Sequence, residues 1–313
     1  MIREPASGAA VVTADVEQAG SPRNRTASRL RAVLVELVRH KGGAFGLVVL
    51  GLFIFLAIFG KSVAPYDPNV GKIMSMLSPP SAEHWFGTDE LGRDTLSRVI
   101  DGSRVAILVA FLSVAIAMVI GVVIGVIAGY FGSMVDSILN RSLDVLFAFP
   151  TLLLAIIIVA VLGPGLLNAT LAIAIVYAPR FARIARSSAL AIKTSEYLDA
   201  ARLAGVATPT ILVRHMLPNV MPPVIVLAAL SMSTAQLAYA SLSFLGLGVN
   251  PPQADWGNML SKGRDFIVIA PWLVVWPTIA LVMLMLAFNV LGDAIRDVLD
   301  PRHVGAAKPD TAL

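Results

Sequence analysis

The sequence predicts an all-α, polytopic membrane protein with six transmembrane helices. Of its 313 residues, 57% are hydrophobic and 14% are charged, and the mean hydropathy is +0.80. Soluble domains are about 45–50% apolar and about 25% charged, so this chain has more apolar side chains than one globular core can bury. A spanning helix needs about 20 mainly apolar residues. The stretches that meet this requirement are 44–63, 105–130, 143–163, 166–185, 220–245 and 271–291.

The centres of all six stretches lack charged residues. The first reads AFGLVVLGLFIFLAIFG, and the second runs from Val105 to Tyr130 without a charge. A charge at the centre of a membrane helix costs about 2.5–3.5 kcal/mol on insertion scales, so the pattern favours membrane spans over helices of a soluble core. Only Gly163-Pro164-Gly165 separates the third stretch from the fourth. We expect a tight turn there, because residues 143–185 are too many for one span.

The distribution of Lys and Arg predicts how the chain is oriented. If the N-terminus is inside, the inner segments carry seventeen Lys and Arg and the outer segments carry seven. Segments rich in Lys and Arg stay on the cytoplasmic side. Both termini are therefore expected in the cytoplasm, in a multi-pass protein of the cell (plasma or inner) membrane.

The spans divide the chain into four parts. Residues 1–42 are expected to form a partly disordered cytoplasmic tail, because they lack the apolar run of a signal peptide. Residues 43–103 hold the first helix and an extracytoplasmic segment. Residues 104–292 form a core of five helices that includes an inner loop at 186–218, and residues 293–313 form a cytoplasmic tail.

The inner loop is expected to fold as two short helices at the cytoplasmic membrane face. Residues 180–218 carry six cations as well as Glu196 and Asp199, which keep the loop out of hydrocarbon, yet they are rich in the helix formers Ala and Leu. Gly205 readily takes the positive φ of a helix C-terminal cap. Thr208-Pro209 then offers an N-cap hydroxyl and a proline for the first turn of the second helix.

The sequence leaves two interpretations of this loop open. Leu217-Pro218-Asn219 is expected to close the second short helix and lead into the fifth span. The first helix suits an amphipathic helix that rests on lipid headgroups. It equally suits a docking helix whose small residues, Ala200 and Ala201, let a partner approach closely.

The spacing of the loop resembles that of a known family. Asp199-Ala200-Ala201, three further residues, Gly205, and then Leu217-Pro218 are similar to the Glu-Ala-Ala loop of binding-protein-dependent ABC importer permeases. The chain departs from that pattern at two positions, with Asp199 in place of Glu and His215 in place of Ile. The resemblance implies that a cytoplasmic ATPase subunit binds this loop. The residues to which it assigns this coupling role are Glu196, Asp199, Ala200, Ala201, Gly205, His215, Leu217 and Pro218.

Four further segments narrow the resemblance to the C-type permease of dipeptide and oligopeptide importers. They are HWFGTDELGRDTLSRVIDGSRVAI at 84–107, DVLFAFPTLLLAI at 144–156, SFLGLGVNPPQADWGNML at 243–260 and LGDAIRDVLDPR at 291–302. The resemblance implies a type I ABC importer permease fold and a role in moving di- and oligopeptides across the cytoplasmic membrane through alternating access. Permeases of the same family that transport nickel or other small solutes are similar in the same places, so the resemblance does not identify the transported solute.

The same resemblance implies the partners of the chain. It implies a second homologous permease subunit, two cytoplasmic ATPase subunits or one fused chain, and an extracytoplasmic substrate-binding protein, all working at the lipid membrane. The ATPase subunits would bind ATP and Mg²⁺, and this chain would be a translocation subunit without a cofactor or enzymatic activity of its own.

Three glycines on the second span form one small-residue face. Gly121, Gly125 and Gly129 recur at intervals of four. Small residues let membrane helices approach closely, so helix packing is the leading interpretation and lining of the transport pathway is the alternative.

Three other residues are candidates for the pathway. Pro150 is expected to kink a span and free backbone carbonyls, either for gating or simply as a kink that neighbouring helices accommodate. Gln236 and Asn289 are polar residues within spans, so we expect them to face protein or a water-filled path rather than lipid.

The sequence disfavours other classes of protein. It has no cysteine, and its four histidines are far apart, so we expect no metal site. An ion-coupled secondary transporter would need ionisable residues inside its spans, and an intramembrane enzyme would need a nucleophile with a base or a metal cluster there. The basic charge of +4 is explained by the inner loops and tails, and nothing in the sequence indicates nucleic-acid binding.

Overall fold

The computed structural model describes residues 41–299, which are helical apart from turns, irregular loops and one isolated bridge. The predicted N-terminal tail up to residue 40 and the C-terminal tail from residue 300 lie outside the described residues. A 3₁₀ turn occupies Ile73–Ser75. The helices are α1 Lys41–Val63, α2 Thr95–Phe131, α3 Ser133–Phe147, α4 Thr151–Leu162, α5 Leu166–Lys193, α6 Glu196–Leu203, α7 Thr208–Phe244, α8 Trp256–Arg264 and α9 Trp272–Leu299.

The predicted number of six spans is only approximate. By length and composition, four helices of the described chain can cross a membrane, namely α1, α2, α7 and α9, and α3 with α4 would make a fifth. The third predicted span, 143–163, is not one helix, because α3 and α4 meet at a bend of 92°. Pro150 stands at this break as the N-cap of α4, where its missing N–H costs no helical hydrogen bond. The fourth predicted span, 166–185, lies within α5.

Helix α2 is the centre of the bundle. One apolar cluster joins it to α4, α5 and α7 through side chains such as Val109, Ile173 and Val220. A second cluster joins it to α1, α8 and α9 through side chains such as Phe53 and Phe288. With 37 residues α2 is about 55 Å long, well beyond a bilayer of about 30 Å. The charges of α2, at Arg98, Asp101 and Arg104, are all in its first turns, so these turns are the part that we expect outside the hydrocarbon.

The three glycines of α2 lie directly against α5. A Cβ built on Gly121 would come within 2.5 Å of the carbonyl oxygen of Ala178, and one on Gly125 within 2.3 Å of that of Ala182. A Cβ on Gly129 would meet Ala189 at 2.6 Å. Successive glycines meet successive turns of α5, so the two helices run parallel. The small-residue face of α2 is therefore a helix-packing surface.

The connection from α4 to α5 forms the tight turn that the sequence predicts. Helix α4 ends at Leu162 and α5 begins at Leu166. Gly163 and Gly165 adopt φ values of 89° and 145°, which side chains disfavour. The Asn168 amide donates to the carbonyl oxygens of Leu162 and Gly163, at 2.9 and 3.1 Å, and so satisfies carbonyls at the end of α4.

The inner loop is shorter than predicted at both ends. Helix α5 continues to Lys193, so residues 180–193 extend the helix of the fourth predicted span and do not belong to a separate short helix of the loop. The predicted helix end at Leu217-Pro218-Asn219 is wrong, because the chain stays helical from Thr208 to Phe244. The stretch Ile211–Met216 has π-helical geometry. Pro218 has no N–H and cannot donate a hydrogen bond to the carbonyl of Arg214. The π-helical stretch, whose turns are wider than those of an α-helix, lies just before this proline.

The segment between α1 and α2 folds as a cap, which we define as residues 64–94. Asp94 accepts hydrogen bonds from His84 Nδ1 at 2.9 Å and from the Ser97 backbone at 2.8 Å, which caps the start of α2. Asp89 pairs with Arg93 at 2.7 Å and with Arg98 at 3.4 Å. These charged groups are almost fully buried, so the network is a structural one that fixes the cap on the bundle.

Helix α8 is held against the end of α7 by a buried carboxylate. Asp255 caps α8 by accepting from the Gly257 N–H at 3.3 Å, and it also accepts from the Ser243 hydroxyl. Burial is the main cause that raises the pKa of Asp255 to about 6, while these hydrogen bonds act in the opposite direction.

This pKa predicts a pH dependence of stability. A carboxyl whose pKa is raised on folding stabilises the fold below its ordinary pKa, and this contribution is lost as the pH rises through about 6. Asp255→Asn should therefore flatten the decline in thermal unfolding midpoint between about pH 4 and pH 6. Asn is as good an N-cap as Asp, so the cap itself survives. A midpoint with the same pH slope in both proteins would contradict the assignment.

Candidate functional site

The predicted coupling residues lie at the end of the bundle opposite the cap. The chain between α5 and α7 forms a projecting turn around α6, which we call the hairpin and define as residues 194–207. Because α2 starts at the cap and α5 runs parallel to it, the end of α5 at Lys193 is at the far end of α2. The hairpin thus connects directly to both α5 and α7.

A backbone motif fixes the corner of the hairpin. Gly205 adopts a φ of 75°, its N–H donates to the carbonyl of Arg202 at 3.0 Å, and the Val206 N–H donates to that of Ala201 at 3.1 Å. These two bonds form a Schellman motif, which satisfies carbonyls at the end of α6 and requires the positive φ. A Cβ at Gly205 would meet nothing within 4 Å. The glycine is therefore needed for backbone conformation and leaves the corner open to a partner.

The outer surface of the hairpin carries small side chains, acidic side chains and one large apolar side chain. Glu196, Asp199 and Ala200 are exposed, and Ala201 is half-buried. Leu203 is 89% exposed, next to the glycine corner. A leucine this exposed on a short charged helix is available to a partner, and the sequence patterns gave no sign of it.

Buried side chains seat the hairpin on the bundle. Leu198, Ile211 and Met216 are all fully buried, so one leucine of α6 and two residues of the π-helical stretch pack into the protein. The Arg202 guanidinium donates to Asp199 at 2.7 Å and to the carbonyl of Lys193 at 3.5 Å. It therefore ties α6 to the end of α5. An ion pair at this i, i+3 spacing is a signal that sequence reasoning overlooked.

Truncating the buried leucine should loosen the hairpin. Leu198→Ala removes a fully buried side chain, which costs about 2–5 kcal/mol in known cases. We expect amide hydrogen exchange across residues 196–206 to accelerate. Leu203→Ala is the matched control, because Leu203 is exposed and its truncation leaves packing intact. Equal exchange rates in wild type and Leu198→Ala would mean that Leu198 does not anchor α6.

The second half of the predicted set joins the hairpin through one hydrogen-bonded link. The Asn219 amide donates to the Tyr197 hydroxyl at 3.1 Å and to the carbonyl of His215 at 2.7 Å. This link holds the part of α7 around Asn219 beside α6. His215 and Leu217 are half-buried and Pro218 is exposed.

The candidates for the pathway are spread over the bundle and do not form one site. Gln236 on α7 is buried, and its Oε1 has no hydrogen-bond partner among the described residues. Asn289 is exposed on α9, so its predicted protein or aqueous surroundings would have to come from outside the chain. Pro150 lies at the α3–α4 break. The described residues include no group of three His, Asp or Glu that could hold a metal ion.

The hairpin is suited to mechanical work on the bundle. It is exposed on one side, anchored by buried residues on the other, and continuous with two long helices. A partner that binds its outer surface and moves would displace α5 and α7 jointly. Because α5 packs tightly on the glycines of α2, its displacement would also reach α2.

Two family models match the chain. One, described as the binding-protein-dependent transport system inner membrane component, matches residues 121–304. The other, described as the N-terminal TM domain of oligopeptide transport permease C, matches residues 28–80. The two models together include α1 and most of the remaining helices.

Several transport proteins resemble the chain over most of its length. It is 42% identical over 272 residues to a dipeptide transport system permease protein of Alkalihalophilus pseudofirmus, which covers 87% of this chain and 90% of that protein. It is 42% identical over 286 residues to a di/tripeptide transport system permease protein of Pseudomonas aeruginosa, with coverage of 90% and 94%. It is 44% identical over 268 residues to a glutathione transport system permease protein of Escherichia coli, with coverage of 85% and 88%.

Among solved structures, a chain of the MetNI methionine ABC transporter in an inward-facing conformation has a similar fold. The TM-score is 0.53 at 20% sequence identity, and the match covers 64% of this chain and 96% of that chain. At this identity the likeness concerns the fold alone.

Proposed function

The chain belongs to the family of binding-protein-dependent transport system inner membrane components, and from this premise we propose that it is one of two permease subunits of an ATP-driven importer of di- and oligopeptides. It is a multi-pass membrane permease with the type I importer permease fold. The peptide cargo is supported by the relatives named above, two of which are permeases for dipeptides or di- and tripeptides and one for glutathione, itself a tripeptide.

The observation that carries the proposal is the anchored and exposed hairpin. We propose that a separate ATPase subunit receives it, with Asp199, Ala200 and Leu203 at the contact. The small side chain of Ala200 allows close approach, and exposed Leu203 offers an apolar group to bury. The Schellman motif at Gly205 fixes the backbone conformation of the hairpin corner.

The proposed mechanism uses two states of the helical bundle. Closure of two ATPase subunits on ATP would draw the hairpins of this chain and of a second, homologous permease together. Helix α5 has 28 residues and is about 42 Å long, so a shift at the hairpin is transmitted along the depth of the membrane. ATP drives the change only to the extent that the ATPases bind the two states with different affinity.

The remaining partners and the orientation follow from this assignment. The hairpin would face the cytoplasm together with both termini, in agreement with the distribution of Lys and Arg. The cap would face outward, where a substrate-binding protein delivers the peptide. ATP hydrolysis would reside in the ATPase subunits, which bind ATP and Mg²⁺, and this chain would need no cofactor.

Reconstituted transport tests the proposal. The chain, its second permease and its ATPases are placed in vesicles with the binding protein, and uptake of labelled di- and tripeptides is measured. We expect uptake to require ATP and every subunit, and to persist when the proton gradient is collapsed. Uptake by this chain alone, or uptake of nickel in place of peptides, would contradict the proposed function.

A further inference from the structure

We infer that a cavity at the cap end of α1 and α2 binds the headgroup of a phospholipid, specifically phosphoethanolamine with its phosphate and primary ammonium. The cavity measures about 680 Å³ and lies between the last turn of α1, the first residues of the cap, the first turns of α2, and Pro252 and Gln253 of the loop between α7 and α8. This volume is within the range of about 300–1,000 Å³ that is typical of small-molecule sites. The coupling hairpin at the other end of the bundle makes no use of this cavity.

The charges that line the cavity are balanced. Two cations, Lys61 and Arg104, and two anions, Asp67 and Asp101, contribute to its walls. A purely anionic ligand would leave the two aspartates without a cation, and a purely cationic ligand would leave Lys61 and Arg104 without an anion. A zwitterion satisfies both, with its phosphate on Lys61 and Arg104 and its ammonium on the two aspartates.

The cavity lies at the boundary of the predicted membrane region. Lys61 is in the last turn of the apolar helix α1, and Arg104 directly precedes Val105, where the uncharged stretch of α2 begins. Basic side chains at the ends of spans reach toward lipid phosphates. The two cations are therefore at the depth of the headgroups, and Asp67 and Asp101 line the same cavity.

Apolar surface for the acyl chains lies directly below. Helices α1 and α2 are packed side by side, with the position of Gly60 against Ile100. Ile58 is 67% exposed one turn below Lys61, and Leu108 is 47% exposed one turn below Arg104. A lipid whose headgroup binds in the cavity can lay its chains on these side chains, whereas a peptide would leave them uncovered. The apolar surface thus favours a lipid over a zwitterionic peptide.

The chemistry predicts a preference among lipids. Phosphatidylcholine carries a quaternary amine that cannot donate hydrogen bonds to Asp67 and Asp101, and phosphatidylglycerol has no cation. We expect the assembled transporter to retain phosphatidylethanolamine over both. Native mass spectrometry of the purified complex, after incubation with each lipid in mixed micelles, measures this retention.

Charge variants of the cavity decide the assignment. Lys61→Ala with Arg104→Ala should lower bound phosphatidylethanolamine about tenfold. Asp67→Asn with Asp101→Asn should abolish the preference over phosphatidylcholine while some lipid remains bound.

Arg264→Ala is the matched control for these variants. It removes a cation of the same end of the protein, from an exposed pair with Asp265 outside the cavity, and should leave lipid binding unchanged. Equal retention of the three lipids by the wild type, or an equal loss in Arg264→Ala, would overturn the proposal. Soluble glycerophosphoethanolamine and dialanine are added as competitors. Displacement of the lipid by either one at concentrations comparable to the lipid would also overturn it.

Discussion

Gly205→Val should abolish peptide uptake while the transporter still assembles in the membrane. The residue has a φ of 75°, a conformation that costs an L-residue about 1–2 kcal/mol, and more for a β-branched one. Valine would therefore break the Schellman motif and move Leu203 and Ala200 out of position. Uptake in cells or vesicles and ATPase activity of the complex are the measurements, and we expect both peptide-dependent signals to fall to background.

Gly205→Asn is the control for this effect. Asn tolerates positive φ far better than Val, and a Cβ at this position meets nothing within 4 Å. We expect Gly205→Asn to keep most of the uptake. Comparable loss in both variants would indicate that the absence of a side chain matters, and not the backbone conformation. Full activity of Gly205→Val would contradict the role of the corner.

Gly125→Val should prevent stable assembly of the bundle. Its Cβ would lie 2.3 Å from the carbonyl oxygen of Ala182 and 2.9 Å from the backbone nitrogen of Arg186, and backbone atoms of a packed helix cannot move aside cheaply. Overpacking typically costs about 1–3 kcal/mol, and a backbone clash at the main helix contact should be at the upper end or beyond. We expect little folded protein in detergent, as measured by size-exclusion chromatography with fluorescence detection.

Gly51→Val separates this packing effect from the loss of glycine itself. Gly51 lies in the apolar helix α1, where a Cβ meets nothing within 4 Å. The same substitution should therefore leave expression and elution unchanged. If Gly125→Val eluted like Gly51→Val, the close α2–α5 contact would not exist in the folded protein.

Several features of the fold could be read directly from the sequence. The Gly163-Pro164-Gly165 turn was predictable because two glycines flank a residue that cannot continue a helix. The corner at Gly205 was predictable because glycine follows a run of helix formers. The apolar stretches of α1, α2 and α9 were predictable from hydropathy, since no charge interrupts them.

Other features depend on tertiary contacts that no local pattern reveals. Pro150 was expected to kink one span, but the chain turns by 92° there and the stretch becomes two helices. Helicity persists through Pro218, although one backbone hydrogen bond is missing there, because the fully buried side chains of Met216 and Val220 pack the helix against the bundle on both sides of the proline. The role of Leu203 depends on exposure, which hydropathy alone does not determine.

The sequence predicts an extracytoplasmic segment after the first span, but no local pattern indicates how the cap folds. The motif around His84 and Asp94 was identified only by resemblance. In the structure its charged residues pair with one another, and Trp272 donates to the carbonyl of Thr88 at 3.2 Å. Such long-range pairing cannot be derived from the spacing of residues in one sequence.

Cross-linking from the hairpin tests the central claim most directly. The chain has no cysteine, so Leu203→Cys carries its only thiol, and a thiol-reactive photo-cross-linker attached there reports what lies within reach. Val268→Cys, 92% exposed on the loop between α8 and α9, is the control. We predict that Leu203→Cys captures the ATPase subunit in the assembled transporter and that Val268→Cys does not. Capture of lipid alone at Leu203→Cys, or of the ATPase from Val268→Cys, would contradict the account.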